Sequence, residues 1–262
     1  MAIKKSELYT TLWRSCDELR GGMDASQYKN YVLTLLFIKY VSDKAKYNVE
    51  SLIEVPEGCS FDDMIKLKGK TNIGEQMNIK LAAWEEANDL DGMFKEADFS
   101  DESKLGKGKD LVQTVSNLIG IFQSSGLNFG KNQASDDDLM GDAYEYLMKH
   151  FATESGKSKG QFYTPAEVSR VMAKVIGLNR ETRPNVSIYD PTCGSASLLL
   201  RALSEASNGA ALYGQEYDIT TVGLAKMNMI LHGYETYDIR SGDTLNNPQF
   251  VKDDNLTTFS YA

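Results

Sequence analysis

Between residues 166 and 241 the chain alternates helix-length segments with short β-type runs, and this order leaves few folds open. A helical pattern at 166–176 is followed by a strand pattern at 186–190, a helix at 197–206, a strand at 211–217, a helix at 221–232 and a strand at 238–241. Strands joined in sequence by helices lie parallel, through right-handed crossovers almost without exception. The pattern predicts the first half of a doubly wound α/β sheet.

Upstream the pattern is helical. Leu8, Leu12, Cys16 and Leu19 recur at helical spacing, Gly21 and Gly22 stop that segment, and a second helix is expected over 26–46, packed on the first. Residues 48–75, with Pro56, Gly58, Gly69 and Gly74, read as irregular, ahead of helix-like stretches at 76–88 and 111–123. Asp136, Asp137 and Asp138 precede the apolar series Leu139, Ala143, Leu147 and Phe151, which places acids against the positive end of a helix dipole and reads as a solvated helix start rather than a metal site. Residues 155–160, rich in Gly, Ser and Lys, are a flexible connection. A helical domain is expected over 1–152 and an α/β domain over 153–262, with no internal repeat.

Composition narrows the function classes. With 262 residues, 42% of them hydrophobic, the chain can bury a sizeable core. The densest apolar run, 33–38, is too short to span a bilayer and no signal-peptide pattern follows Met1, so a cytoplasmic protein without a membrane partner is expected. Cys16, Cys59 and Cys193 fall in no C-x-x-C spacing and His150 and His232 are the only histidines, so no metal site is assigned. A net charge of −9 argues against a free-standing DNA binder, and any DNA substrate would be held through a partner.

The small residues from Thr192 to Ser197 lie between a strand ending at Asp190 and a helix, where unpaired N–H groups can receive a carboxylate or phosphate. Glu216, 26 positions after Asp190, falls at the end of the next strand and can accept from both hydroxyls of a ribose. These residues alone also fit an ordinary βα turn with a surface Glu. A nicotinamide-dependent oxidoreductase is a further alternative, weakened because Gly194 stands without the other glycines of G-x-G-x-x-G. In the segment 160–167, Thr164 can cap a helix, Pro165 suits its first turn and Glu167 completes a capping box. That leaves Gln161, Phe162 and Tyr163 for a ligand. Cys193 reads as a small packing residue, with no neighbouring base or cation to make it a nucleophile.

The segments GQFYTP, DPTCGSAS, GQEYD and SGDTL resemble, in order and spacing, the cofactor region of type I restriction-modification modification subunits, which are N6-adenine DNA methyltransferases. The helical stretches 8–22 and 28–44 resemble that family's amino-terminal domain. The resemblance implies a mostly helical amino-terminal domain followed by a Rossmann-like methyltransferase domain, incomplete at its carboxyl end, with S-adenosyl-L-methionine as cofactor. Gln161, Phe162, Tyr163, Thr164 and Pro165 match the family's first cofactor segment. Asp190, Thr192, Cys193, Gly194, Ser195, Ala196 and Ser197 match its strand-turn-helix loop, with Ala196 where a second glycine is usual. Glu216 matches the ribose-binding acid and Asp243 the polar residue near the adenine. The implied partners are a DNA-specificity subunit, a second modification subunit and a restriction subunit, with DNA reached through the complex.

In such enzymes the methyl group passes to N6 of an adenine turned out of the duplex, beside an N-P-P-aromatic segment. Asn247-Pro248-Gln249-Phe250 lacks the second proline and precedes the strand expected over 256–262, so it reads as a loop and no catalytic residue is assigned. The chain is therefore expected to be an amino-terminal fragment, inactive alone. A cofactor-binding or assembly module without catalysis is the alternative.

Overall fold

A computed structural model of the chain describes residues 5–20, 23–46, 53–124, 127–129, 139–154, 164, 166–181, 183–234 and 236–262. The Gly21-Gly22 stop, Asp136 to Asp138, the 155–160 connection and Gln161, Phe162, Tyr163 and Pro165 lie outside the described residues. The chain divides into two compact units, Met1–Gly156 and Lys157–Ala262.

The described part of the first unit is helical: α1 (Lys5–Leu19), α2 (Ala25–Ala45), α3 (Phe61–Ile65), α4 (Ile73–Asn88), α5 (Glu102–Leu105), α6 (Lys109–Phe122) and α7 (Leu139–Glu154). Every residue from Tyr31 to Lys39 is buried, so α2 is covered on all sides and forms the centre of this unit. The expected packing of α1 on α2 is present, and α3, α6 and α7 also pack on α2. Aromatic pairs seat α7: Tyr9 stacks on Tyr146 at 4.2 Å, Trp13 meets His150 at 4.1 Å and Tyr28 meets Phe151 at 5.6 Å.

The segment expected to be irregular holds a helix. At α3, Ser60 accepts from the Asp63 N–H at 3.3 Å while the Asp63 carboxylate accepts from the Ser60 N–H at 3.2 Å. This capping box uses Asp where the usual pattern has Glu or Gln, and five residues are too few to show a period. Helix α4 starts at Ile73, before the expected 76, because the buried series Ile73, Met77, Leu81 and Trp84 begins there. Gly74 is the reason the start is hard to read. A Cβ at this position would overlap the Phe99 carbonyl oxygen and lie 2.9 Å from its carbon. Gly74→Ala is expected to lower stability by about 2 kcal/mol in urea unfolding, since displaced backbone (about 3 kcal/mol) outweighs the gain in helix propensity (about 1 kcal/mol).

The second unit contains α8 (Ala166–Val175), β1 (Ser187–Asp190), α9 (Ser197–Glu205), β2 (Ala211–Glu216), α10 (Ile219–Leu231), β3 (Tyr237–Ser241), β4 (Val251–Lys252) and β5 (Asn255–Leu256). Strands β1, β2 and β3 pair in parallel in that order, with Ile188 opposite Leu212 and Leu212 opposite Tyr237. Ile188, Leu212 and Ile239 share a core with Leu199 and Leu203 of α9 and Ala225 and Met229 of α10. The expected βαβαβ unit is thus the framework.

Residues 256–262 depart from the single strand expected there. β4 and β5 form a hairpin around Asp253 and Asp254, both with positive φ, and only Tyr261 bridges to the main sheet. Tyr261 pairs on the β1 edge that β2 does not use: Val186 O accepts from Ala211, whereas Ser187 O accepts from Tyr261 at 3.0 Å and Tyr189 N–H donates to Tyr261 O at 2.9 Å. The order around β1 is therefore Tyr261, β1, β2, β3, and the direction of winding reverses beside β1. In open α/β sheets the crevice beyond such a reversal is where ligands bind. Among the described residues no helix is long and apolar enough to cross a membrane.

Candidate functional site

A cavity of about 500 Å³ opens at the carboxyl end of β1, inside the second unit. Its wall includes Thr164, the loop from Asp190 to Ser195, the first turn of α9, Met172 of α8 and Ile176 just beyond it, and Tyr261. Strand β1 delivers Asp190 to the loop, and its carboxylate accepts from the Thr192 N–H at 3.0 Å. Burial raises the Asp190 carboxyl above its ordinary pKa; the Thr192 bond opposes the rise and the Glu216 charge adds to it.

Glu216 closes β2 beside the same loop. One carboxylate oxygen accepts from the Gly194 N–H at 3.0 Å and the other from the Asp218 N–H at 3.0 Å. A carboxylate offers roughly four acceptor positions, so about two remain for a ligand. Asp218 in turn caps α10 through the Thr221 N–H at 2.8 Å.

The start of α9 lacks a side-chain cap. Its N-cap is Ala196, in the left-handed region at φ 61°, and Ala has no group with which to accept from the first-turn N–H groups. Those donors belong to residues of the cavity wall, where a ligand carboxylate would meet both them and the positive helix end. Ala196 is fully buried, and the chain accommodates a strained left-handed alanine there. Ala196→Gly relieves about 1 kcal/mol of strain but loses a buried methyl and adds unfolded-chain entropy of similar size, so denaturant midpoints are expected to move by less than about 1 kcal/mol. A β-branched side chain has no such balance, and Ala196→Val should cost about 2 kcal/mol or more.

Cys193 packs rather than reacts. Burial pushes its thiol far above the ordinary value, with the Asp190 and Glu216 charges adding to the rise, so the nucleophilic thiolate is suppressed. The close approach of Cys193 explains Gly214 on β2, where a Cβ would sit 2.9 Å from the Cys193 sulfur.

Asp243 is not brought to the cavity wall. Its carboxylate accepts from the Asn246 side chain at 2.7 Å and from the N–H groups of Asn246 and Leu245 at 3.0 and 2.9 Å, bonds that hold it below its ordinary pKa. The turn it builds is fastened to the site by other residues. Thr244 donates to the Pro191 carbonyl, the Gly242 N–H donates to Glu216 O at 2.9 Å, and Gln215 donates to Asn247 O at 3.1 Å while accepting from the Gln249 N–H at 2.9 Å. Sequence reasoning passed over Thr244, Tyr261 and Gln215; only Gln215 left a signal, a polar side chain at an inward position of a buried strand. Phe250 is buried against Tyr189, Tyr213 and Phe259 at 5.2, 5.7 and 5.7 Å, beneath the Arg240 guanidinium. Phe250 is thereby committed to packing, while Asn247 is exposed.

A parallel sheet that reverses at β1, a left-handed turn after it and an acid at the end of β2 define a Rossmann-like α/β domain of the methyltransferase type. Two family models match the chain, the HsdM N-terminal domain over residues 8–122 and the N-6 DNA Methylase over residues 135–260. The chain belongs to the methylase subunits of type I restriction-modification systems, a family of N6 DNA methyltransferases. It is 30% identical to the type I restriction enzyme MpnII methylase subunit of Mycoplasma pneumoniae, over 92% of this chain and 53% of that one. It is 31% identical to the MjaVIII methylase subunit of Methanocaldococcus jannaschii, over 95% and 45%. The chain thus spans about half the length of these relatives. Among solved structures, the methyltransferase subunit of a type I system from Streptococcus thermophilus superposes with a TM-score of 0.75 at 28% identity, covering 95% of this chain and 61% of that one.

Proposed function

We propose that this chain supplies the S-adenosyl-L-methionine pocket and the helical domain of a modification subunit that methylates N6 of adenine in DNA. It would act in the cytoplasm with a DNA-specificity subunit, a second modification subunit and a restriction subunit. The observation that carries this reading is the uncapped α9 N-terminus on the cavity wall, with the Glu216 carboxylate bonded to Gly194 of the loop that lines the same cavity.

The residues fit the cofactor at both ends. Glu216 has acceptor positions left for two ribose hydroxyls, and the first-turn N–H groups of α9 can receive the amino-acid carboxylate. When bound, S-adenosyl-L-methionine supplies an electrophilic methyl group on sulfur. Asp190, Thr192, Cys193, Gly194, Ser195, Ala196 and Ser197 form the proposed cofactor loop, and Thr164, with Gln161, Phe162, Tyr163 and Pro165, the proposed first cofactor segment. Asp243 contributes through the turn that Thr244 fastens to Pro191. Because the chain carries a net charge of −9, the partners are proposed to provide most of the DNA contact.

Titration calorimetry of the full chain against S-adenosyl-L-methionine and against NAD tests the reading. One site for the former and no measurable binding of the latter are expected; preference for NAD would overturn it.

A further inference from the structure

Helix α10 is buried along most of its length by apolar side chains, yet a fully buried asparagine, Asn228, sits among them. Its Nδ2 donates to the Ser195 carbonyl oxygen at 2.8 Å. Among the described residues its Oδ1 has no hydrogen-bond partner. A desolvated, unpaired amide oxygen works against folding, so packing alone does not account for an amide here. The donor end is what this position provides.

The bond falls on the peptide that sets the cofactor loop. The Ser195–Ala196 peptide is held at both ends: its carbonyl by Asn228 and its N–H, donated from Ala196, by the Cys193 carbonyl at 2.8 Å. Fixing that plane keeps Ala196 in its left-handed conformation, and the first N–H groups of α9 follow directly from it. On the other side, Gly194 is held by Glu216. We infer that Asn228 is a positioning residue for cofactor binding, holding the Ser195 carbonyl so that the α9 N-terminus faces the cavity. The inference rests on the reading of that cavity as a cofactor pocket.

Two variants of the full chain test it by affinity for S-adenosyl-L-methionine, melting temperature and amide exchange of Gly194 and Ala196. Asn228→Leu removes the donor and the orphan oxygen together, so binding should weaken by about tenfold and the two amides exchange about tenfold faster, while the melting temperature holds. Asn228→Asp places a buried carboxyl, with a raised pKa, against the same carbonyl. Deprotonated it cannot donate; protonated it can, so affinity should recover as pH falls from about 8 to about 5.5. His232, whose Nδ1 lies 2.9 Å from the Asn228 backbone carbonyl oxygen, and Asp190 and Glu216 at the loop are present in the wild-type chain too, which serves as the control for their titration. Wild-type affinity and exchange in Asn228→Leu, or binding that falls only in step with the folded fraction and an Asn228→Asp profile parallel to wild type, would overturn the inference. If the wild-type chain binds no cofactor, the functional reading fails, and amide exchange still decides the role of Asn228.

Discussion

Replacing Glu216 by alanine is expected to weaken S-adenosyl-L-methionine binding by about a hundredfold, the equivalent of about 3 kcal/mol. Each ribose hydroxyl bonded to a charged acceptor contributes about 1.5 to 3 kcal/mol, and alanine removes both acceptors at once. Glu216→Gln keeps one acceptor oxygen and should fall between. The same carboxylate also receives the Gly194 and Asp218 N–H groups, so part of the loss passes through the loop. Calorimetry on the two variants, with melting curves beside it, separates the effects: binding unchanged in a folded Glu216→Ala chain would remove the ribose assignment.

The second large effect lies in the first unit and concerns folding alone. Asp43 of α2 has a side chain only 5% exposed and bonds Lys39 Nζ at 2.6 Å, itself 11% exposed. It also accepts from the Phe129 N–H at 3.1 Å, tying a segment 86 positions away to the central helix. Asp43→Ala leaves a buried ammonium and a buried N–H without that acceptor, and should cost about 3 to 5 kcal/mol in urea unfolding. Asp43→Leu combined with Lys39→Met removes both charges and should recover much of the loss, because the attraction of a buried pair largely offsets its own desolvation. Equal losses in the single and double variants would show that the Phe129 bond, rather than the charge pair, dominates.

How far the sequence was legible follows from what periodicity can report. The order of β1, α9, β2, α10 and β3 was readable because each element buries a face long enough to show its period, and the loop at 190–197 stood out through its small residues. Helix α3 and the β4–β5 hairpin were too short, and the single bridge at Tyr261 has no pattern at all. Asp243 shows a different limit: an acid in a Gly-Asp-Thr turn has the same letters whether it binds a ligand or its own backbone. Lys39 and Asp43, spaced four apart, likewise look like a solvated ion pair until α2 is seen to be covered on every side.

The seating of α7 bears on how subunits of this family can be recombined. The N-6 DNA Methylase match begins at residue 135, yet α7, which follows that point, rests on α1 and α2 through Tyr146, His150 and Phe151. A chimaera joined at 135 would give the amino-terminal helices a foreign α7 and break three aromatic pairs at once. A junction after Gly156 keeps that packing with its own partners, so the modules that can be exchanged between relatives are bounded by side-chain contact, one helix later than the family boundary implies.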